Sequence, residues 1–180
     1  MKKAVIMSCL FALFGAGLRA QQLQDFKENE VGFVFSATKF PNTEAGVGGR
    51  FLHNYSSNFG FEFAGTFYPV NSTFRLHQEL TNGVTGSANV YTGTFNLKGT
   101  YRMERRQKVN FFGIVGPGFF VTDPNPGKAD WRFALVAGGG AEVIPHPNVA
   151  VRADFADLIV FVNSDRTNNF DFKLSLMYRW

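Results

Sequence analysis

The stretch Phe170-Asp171-Phe172-Lys173-Leu174-Ser175-Leu176-Met177-Tyr178-Arg179-Trp180 decides the fold. Phe170, Phe172, Leu174, Leu176, Tyr178 and Trp180 share one parity, and Asp171, Lys173, Ser175, Met177 and Arg179 the other. Successive side chains of an extended chain point to opposite faces, so this period of two makes a strand with one oily and one polar side. A helix would scatter both sets around its axis.

Upstream, the same alternation recurs. Tyr91, Gly93, Phe95, Leu97, Gly99 and Tyr101 alternate with Thr92, Thr94, Asn96, Lys98, Thr100 and Arg102. Phe59, Phe61, Phe63, Gly65 and Phe67 alternate with Gly60, Glu62, Ala64, Thr66 and Tyr68, and Val149, Val151, Ala153 and Phe155 with Ala150, Arg152, Asp154 and Ala156. Seven breaker-rich or polar segments, 41–42, 55–58, 71–86, 104–108, 123–130, 145–148 and 162–169, divide the chain. They predict eight strands at 30–40, 44–53, 59–70, 88–102, 109–121, 131–144, 148–160 and 169–180. Phe111-Phe112 and Phe119-Phe120 obscure the face of the fifth strand, and Gly138-Gly139-Gly140 weakens the sixth. The composition, with 22 Phe and 19 Gly in 180 residues, suits closely packed strands.

The amino terminus reads differently. Lys2 and Lys3 precede an apolar run over 4–17, and Ala20 precedes Gln21, which is the pattern of an export signal over 1–20. The run is shorter than the roughly 20 residues of a spanning helix, which disfavours a retained anchor. Residues 21–29 read as a polar lead-in and 30–180 as one domain. Removing the signal takes away Lys2, Lys3 and Arg19, so the formal charge falls from +4 to +1, and the only cysteine, Cys9, goes too. A near-neutral mature chain lacks the electrostatic footprint of nucleic-acid binding, and one without cysteine has no disulfide, thiolate metal site or thiol chemistry. Beyond Gln21 no run approaches the roughly 18 apolar residues of a transmembrane helix.

Eight antiparallel strands can close on themselves and remove every sheet edge. The expected fold is therefore all-β, an eight-stranded antiparallel up-and-down transmembrane β-barrel. The polar face holds Arg50, Glu62, Lys98, Arg102, Arg132, Glu142, Arg152, Asp154, Asp171 and Lys173 among Gly, Ala, Ser and Thr. Eight strands enclose a space just wide enough for side chains to fill, so these six bases and four acids are expected to pair across the interior. Tyr91, Tyr101, Tyr178, Trp131 and Trp180 fall near strand ends, as interfacial girdles do.

Phe172-x-Leu174-x-Leu176-x-Tyr178-x-Trp180 resembles the closing-strand signal of outer-membrane barrels. Gly138-Gly139-Gly140-Ala141-Glu142 followed by Asn148-Val149-Ala150-Val151-Arg152-Ala153-Asp154 is similar to the penultimate hairpin of small OmpA-like and opacity-type barrels. The resemblance implies a bacterial outer-membrane location, outer-membrane lipids and the barrel-assembly machinery as partners, and 172–180 as the assembly signal. The peptidoglycan-binding domain that follows some such barrels is not expected after Trp180. The implied topology puts both termini in the periplasm and 40–44, 71–86, 122–130 and 161–169 outside, with no particular external ligand indicated.

Catalytic groupings are sparse. His53, His77 and His146 are scattered, and no cofactor is expected. Gly113-x-x-Gly116-x-Gly118 and Gly46-x-Gly48-Gly49 are followed by neither the Lys-Ser/Thr nor the helix of a phosphate loop. Asn71-Ser72-Thr73 indicates only a loop, and Glu104-Arg105-Arg106 a solvated turn. The leading expectation is a non-enzymatic outer-membrane protein, structural or surface-interacting, with a side-chain-filled interior and at most a narrow pore. Two alternatives compete with it: an exported soluble lipocalin-like barrel whose Phe-rich face lines an apolar pocket, and a lipid-modifying barrel enzyme using Ser72 and His77.

Overall fold

A computed structural model describes residues 27–39, 43–70, 87–102, 109–125, 128–162 and 165–180. They form eight strands: β1 Asn29–Lys39, β2 Thr43–Asn54, β3 Phe59–Val70, β4 Ser87–Arg102, β5 Val109–Asn125, β6 Asp130–His146, β7 Val149–Val162 and β8 Asp165–Arg179. Each pairs antiparallel with its sequence neighbour, and β1 pairs with β8 from Glu30↔Arg179 to Lys39↔Phe170, closing the barrel. The seam runs to the last residue: Asn29 and Trp180 exchange backbone hydrogen bonds of 3.2 and 3.0 Å. The signal region and residues 21–26 of the lead-in lie outside the described residues, and β1 begins at Asn29.

Eight strands appear where eight are expected, but several run longer. β5 extends to Asn125 instead of stopping near 121, and β8 begins at Asp165 instead of 169. The polar run 165–169, read as loop, continues the β7–β8 ladder, with Val162↔Asp165 through Leu158↔Asn169 in register. Ladder hydrogen bonds satisfy the backbone whatever the side chains, so polar strand ends are invisible to a hydropathy pattern.

Alternation sorts the two faces as the closing strand indicates. Phe33, Phe35, Phe63, Phe133, Phe155, Leu176 and Tyr178 point outward and stay exposed, Phe33 most of all at 76%. The Phe pairs split cleanly: Phe111 and Phe119 point out, while Phe112 and Phe120 are buried inside. With the apolar rings turned away from the interior, the lipocalin-like arrangement is overturned. The β4–β5 ladder lapses only at Phe95 and Asn96, opposite Gly116 and Pro117, where proline has no N–H to donate.

Candidate functional site: the charged interior

Two ends can be distinguished. At the terminal end β1 begins and β8 ends, and there β2 leads into β3, β4 into β5 and β6 into β7; at the far end β1 leads into β2, β3 into β4, β5 into β6 and β7 into β8. The buried charged residues lie between the terminal end and mid-barrel. Arg50 of β2 grips Asp154 of β7 with both guanidinium nitrogens, Nη1 to Oδ1 at 3.1 Å and Nη2 to Oδ2 at 3.0 Å. Arg152 of β7 donates to Glu62 of β3 at 2.5 Å, and Arg50 Nη1 stands 3.6 Å from the same carboxylate. Lys98 and Asn110 share Glu142, at 3.1 and 3.2 Å. These ties join β2 to β7, β3 to β7 and β4 to β6, strands that are not neighbours in the sheet, so they cross the interior.

Two further groups flank this centre. Toward the terminal end, Arg179 Nε donates to Glu30 at 3.2 Å, and Asn54 donates to the same carboxylate at 3.0 Å. Toward mid-barrel, Asp171 accepts from Ser36, from the Tyr68 hydroxyl at 3.1 Å and from Lys173 at 3.1 Å. All ten of these charged side chains are buried: Arg50, Lys98, Arg152, Lys173 and Arg179 against Glu30, Glu62, Glu142, Asp154 and Asp171. Among the described residues the buried set is thus five bases facing five acids, with no formal net charge. Balance matters because a charge buried without a partner costs several kcal/mol, on the order of 3–5 when one partner is removed.

The structure places eight of the ten expected interior residues together: Arg50, Glu62, Lys98, Glu142, Arg152, Asp154, Asp171 and Lys173. Arg132 stands apart from them. It shares their parity but lies two residues beyond Asp130 at the start of β6, with 23% of its side chain exposed and Asp130 as partner at 2.6 Å. The Arg102 side chain lies outside the described residues, as do Ser72 and His77. Glu30 and Arg179 were not among the expected set, although parity with Val31 and with Tyr178 marks both as inward-facing.

The far half of the interior differs in kind. Tyr68, Val90, Phe112, Ile114, Phe120, Ala134, Val136, Ala156, Leu158 and Val160 pack into one apolar cluster on the β3–β7 side. Phe112 joins the two zones: the Arg152 guanidinium carbon lies 3.8 Å and Lys98 Nζ 5.1 Å from its ring centroid, cation–π contacts strengthened by their dry surroundings. Thr38, Thr66, Thr92, Thr122 and Asn169 are further buried inward groups toward that rim.

A closed antiparallel barrel that turns Phe and Leu outward and ion pairs inward is a membrane barrel, because only a surround of hydrocarbon makes that inversion stable. Its stacked Tyr178–Trp180 rings near one end, and Phe119–Trp131 and Phe67–Tyr91 toward the other, bracket the apolar band as girdles do. The chain belongs to the outer membrane protein beta-barrel domain family, whose profile matches residues 8–179. It is a bacterial outer-membrane protein, embedded in outer-membrane lipid.

Among solved structures, the amino-terminal barrel domain of Pseudomonas aeruginosa OprF aligns with a TM-score of 0.61 at 8% identity, covering 86% of this chain and 100% of that one. OprG from Pseudomonas aeruginosa aligns at 0.56 and 10% identity, covering 86% and 96%. Ail, the attachment invasion locus protein of Yersinia pestis, crystallised with the heparin analogue sucrose octasulfate, aligns at 0.53 and 16% identity, covering 84% and 96%. At these identities the likeness is one of fold. No curated protein sequence matches significantly.

Proposed function

We propose that the chain is a non-enzymatic outer-membrane barrel whose interior is closed by its own side chains, serving the envelope as a structural or surface-presenting element. The observation that carries this reading is the pairing of two fillings: a set of buried ion pairs, three of which cross the lumen, balanced in charge among the described residues, and an apolar cluster toward the far rim. A neutral, side-chain-filled interior offers no column of fixed charge to draw ions through, and an apolar constriction opposes wetting. Planar-bilayer recording of the purified monomer tests it, with no large, stable conductance expected. Persistent large channels from pure monomer would overturn the reading.

Phe172, Leu174, Leu176, Tyr178 and Trp180 stand outward on β8, the strand that closes against β1. On the resemblance to closing-strand signals we assign them to recognition by the barrel-assembly machinery. Deleting Trp180 in cells is expected to shift the protein from the outer-membrane fraction to an unfolded, protease-sensitive periplasmic pool, while the purified variant still refolds in detergent. Unchanged outer-membrane yield would remove the assignment.

A further inference from the structure

The outer surface of the barrel carries a groove whose floor has no side chains. Strand register aligns Gly49 of β2, Gly65 of β3 and Gly93 of β4 in one row. The adjacent row toward the terminal end is Phe51, Phe63 and Phe95, and the adjacent row toward the far end is Val47, Phe67 and Tyr91. A bare floor between walls of rings leaves an apolar groove of about 730 Å³. At Gly65 and Phe119 it meets a second section of about 560 Å³, which reaches Asp123 and Trp131.

The barrel itself does not require glycine along this floor. A Cβ on Gly49 would meet nothing closer than the Gly32 carbonyl oxygen at 3.7 Å, and one on Gly65 nothing closer than the Thr92 carbonyl oxygen at 3.8 Å. Both are ordinary contacts, and neither residue has the left-handed backbone that favours glycine. Gly93 is different, since the Phe119 ring lies where its Cβ would stand and so closes one side of the groove. What Gly49 and Gly65 preserve is therefore space outside the barrel, not packing within it.

The dimensions point to an occupant. On β5 the lining runs from Pro117 to Asp123, six steps or about 20 Å of strand at roughly 3.3 Å per residue. At the roughly 40° tilt of such strands this is about 15 Å of depth, half of a hydrocarbon core about 30 Å thick. The groove thus spans one leaflet, from the girdle level at Trp131 toward the midplane. This face already meets bilayer hydrocarbon, and the groove is continuous with that interface. A second barrel, being convex, would offer separate rings along a line of contact, whereas an extended polymethylene chain matches the whole length.

We propose that the groove seats one extended acyl chain of a lipid in the leaflet at the far end, held more tightly than the lipid around it. The inference concerns the outer face and stands whether or not the interior conducts. The test uses the refolded full-length mature chain in micelles doped with dimyristoyl phosphatidylethanolamine, followed by native mass spectrometry. The wild type is expected to retain one lipid per chain. Gly65→Leu, which the open space at that position accommodates, should lower retention by about tenfold, equivalent to about 1.4 kcal/mol of lost contact. Gly113→Leu is the matched control: a Cβ there would meet only the Gly138 carbonyl oxygen at 3.8 Å, and it lies on the same face outside the groove. It should retain lipid as the wild type does. A heat-modifiable folded band for all three proteins establishes that folding is intact. Equal retention by wild type and Gly65→Leu, absence of any retained lipid, or a dimer that Gly65→Leu abolishes would each overturn the proposal, the last by naming a second copy as the occupant.

Discussion

The two halves of the interior solve one problem by opposite means. From the terminal end to mid-barrel the space holds ten buried charged side chains in ion pairs, and near the far end it is filled by Val90, Phe120, Leu158 and their apolar neighbours. Each filling fits only its own kind of neighbour. Ion pairs gain from direction, since Arg50 meets Asp154 through two parallel hydrogen bonds that fix β2 against β7. Apolar packing is indifferent to direction and gains from area and close contact. The charged half therefore specifies which strands face each other across the barrel, and the apolar half closes what that arrangement leaves.

The sharpest way to break this contrast is to unbalance the charged half. Arg152→Ala removes the 2.5 Å partner of Glu62 and the cation over Phe112, leaving a buried carboxylate undercompensated. A loss of about 3–5 kcal/mol is expected, measured as the shift in urea midpoint for folding into lipid vesicles. The paired variant Arg152→Met with Glu62→Gln removes both charges and should recover at least half of that loss. If the single variant is as stable as wild type, the ion pairs do not hold the barrel together.

A cavity in the apolar half should cost somewhat less and read out differently. Phe120 is fully buried among the cluster residues, and Phe120→Ala is expected to lose about 3 kcal/mol by the large-to-small rule. Because Phe120 belongs to the cluster toward the far rim, the variant should also show brief conductance events in planar bilayers, where none is expected of the wild type. Arg152→Ala, which leaves that cluster in place, should stay silent. Matching silence in both variants would show that the apolar cluster is not the barrier.

Part of this contrast was legible in the sequence and part was not, for physical reasons. Parity alone located eight of the ten buried charges, because period-two alternation is a local property of an extended chain. Glu30 escaped because it ends a polar run, 21–30, whose composition reads as lead-in, and its partner Arg179 lies 149 residues away. The apolar cluster was hidden by Phe111-Phe112 and Phe119-Phe120, where both faces carry the same residue and alternation conveys nothing. Register resolves them: Phe112 and Phe120 are two of the inward positions of β5, with Ile114 between them. The lipid-side groove lies further still from sequence, since Gly49, Gly65 and Gly93 become neighbours only once three strands are aligned.

Arg132 sharpens the comparison from the small end. It has the inward parity of Arg152 and an equally short carboxylate contact, 2.6 Å to Asp130, yet 23% of its side chain is exposed at the rim. Its partner lies two residues away on the same strand, so the pair ties nothing across the lumen. Water already solvates both groups, and exposed pairs contribute about 0–1 kcal/mol. Arg132→Ala is therefore expected to shift the urea midpoint by less than a third as much as Arg152→Ala. What effect remains should fade when salt is raised from about 0.01 M to about 1 M, as the screening length falls from about 30 Å to about 3 Å. The Arg152→Ala loss should persist across that range, since its partners are buried. A large, salt-insensitive loss at Arg132 would place it functionally with the buried set, whereas a small, screened one makes burial and reach across the lumen, not inward parity, the property that turns a charge into a structural tie.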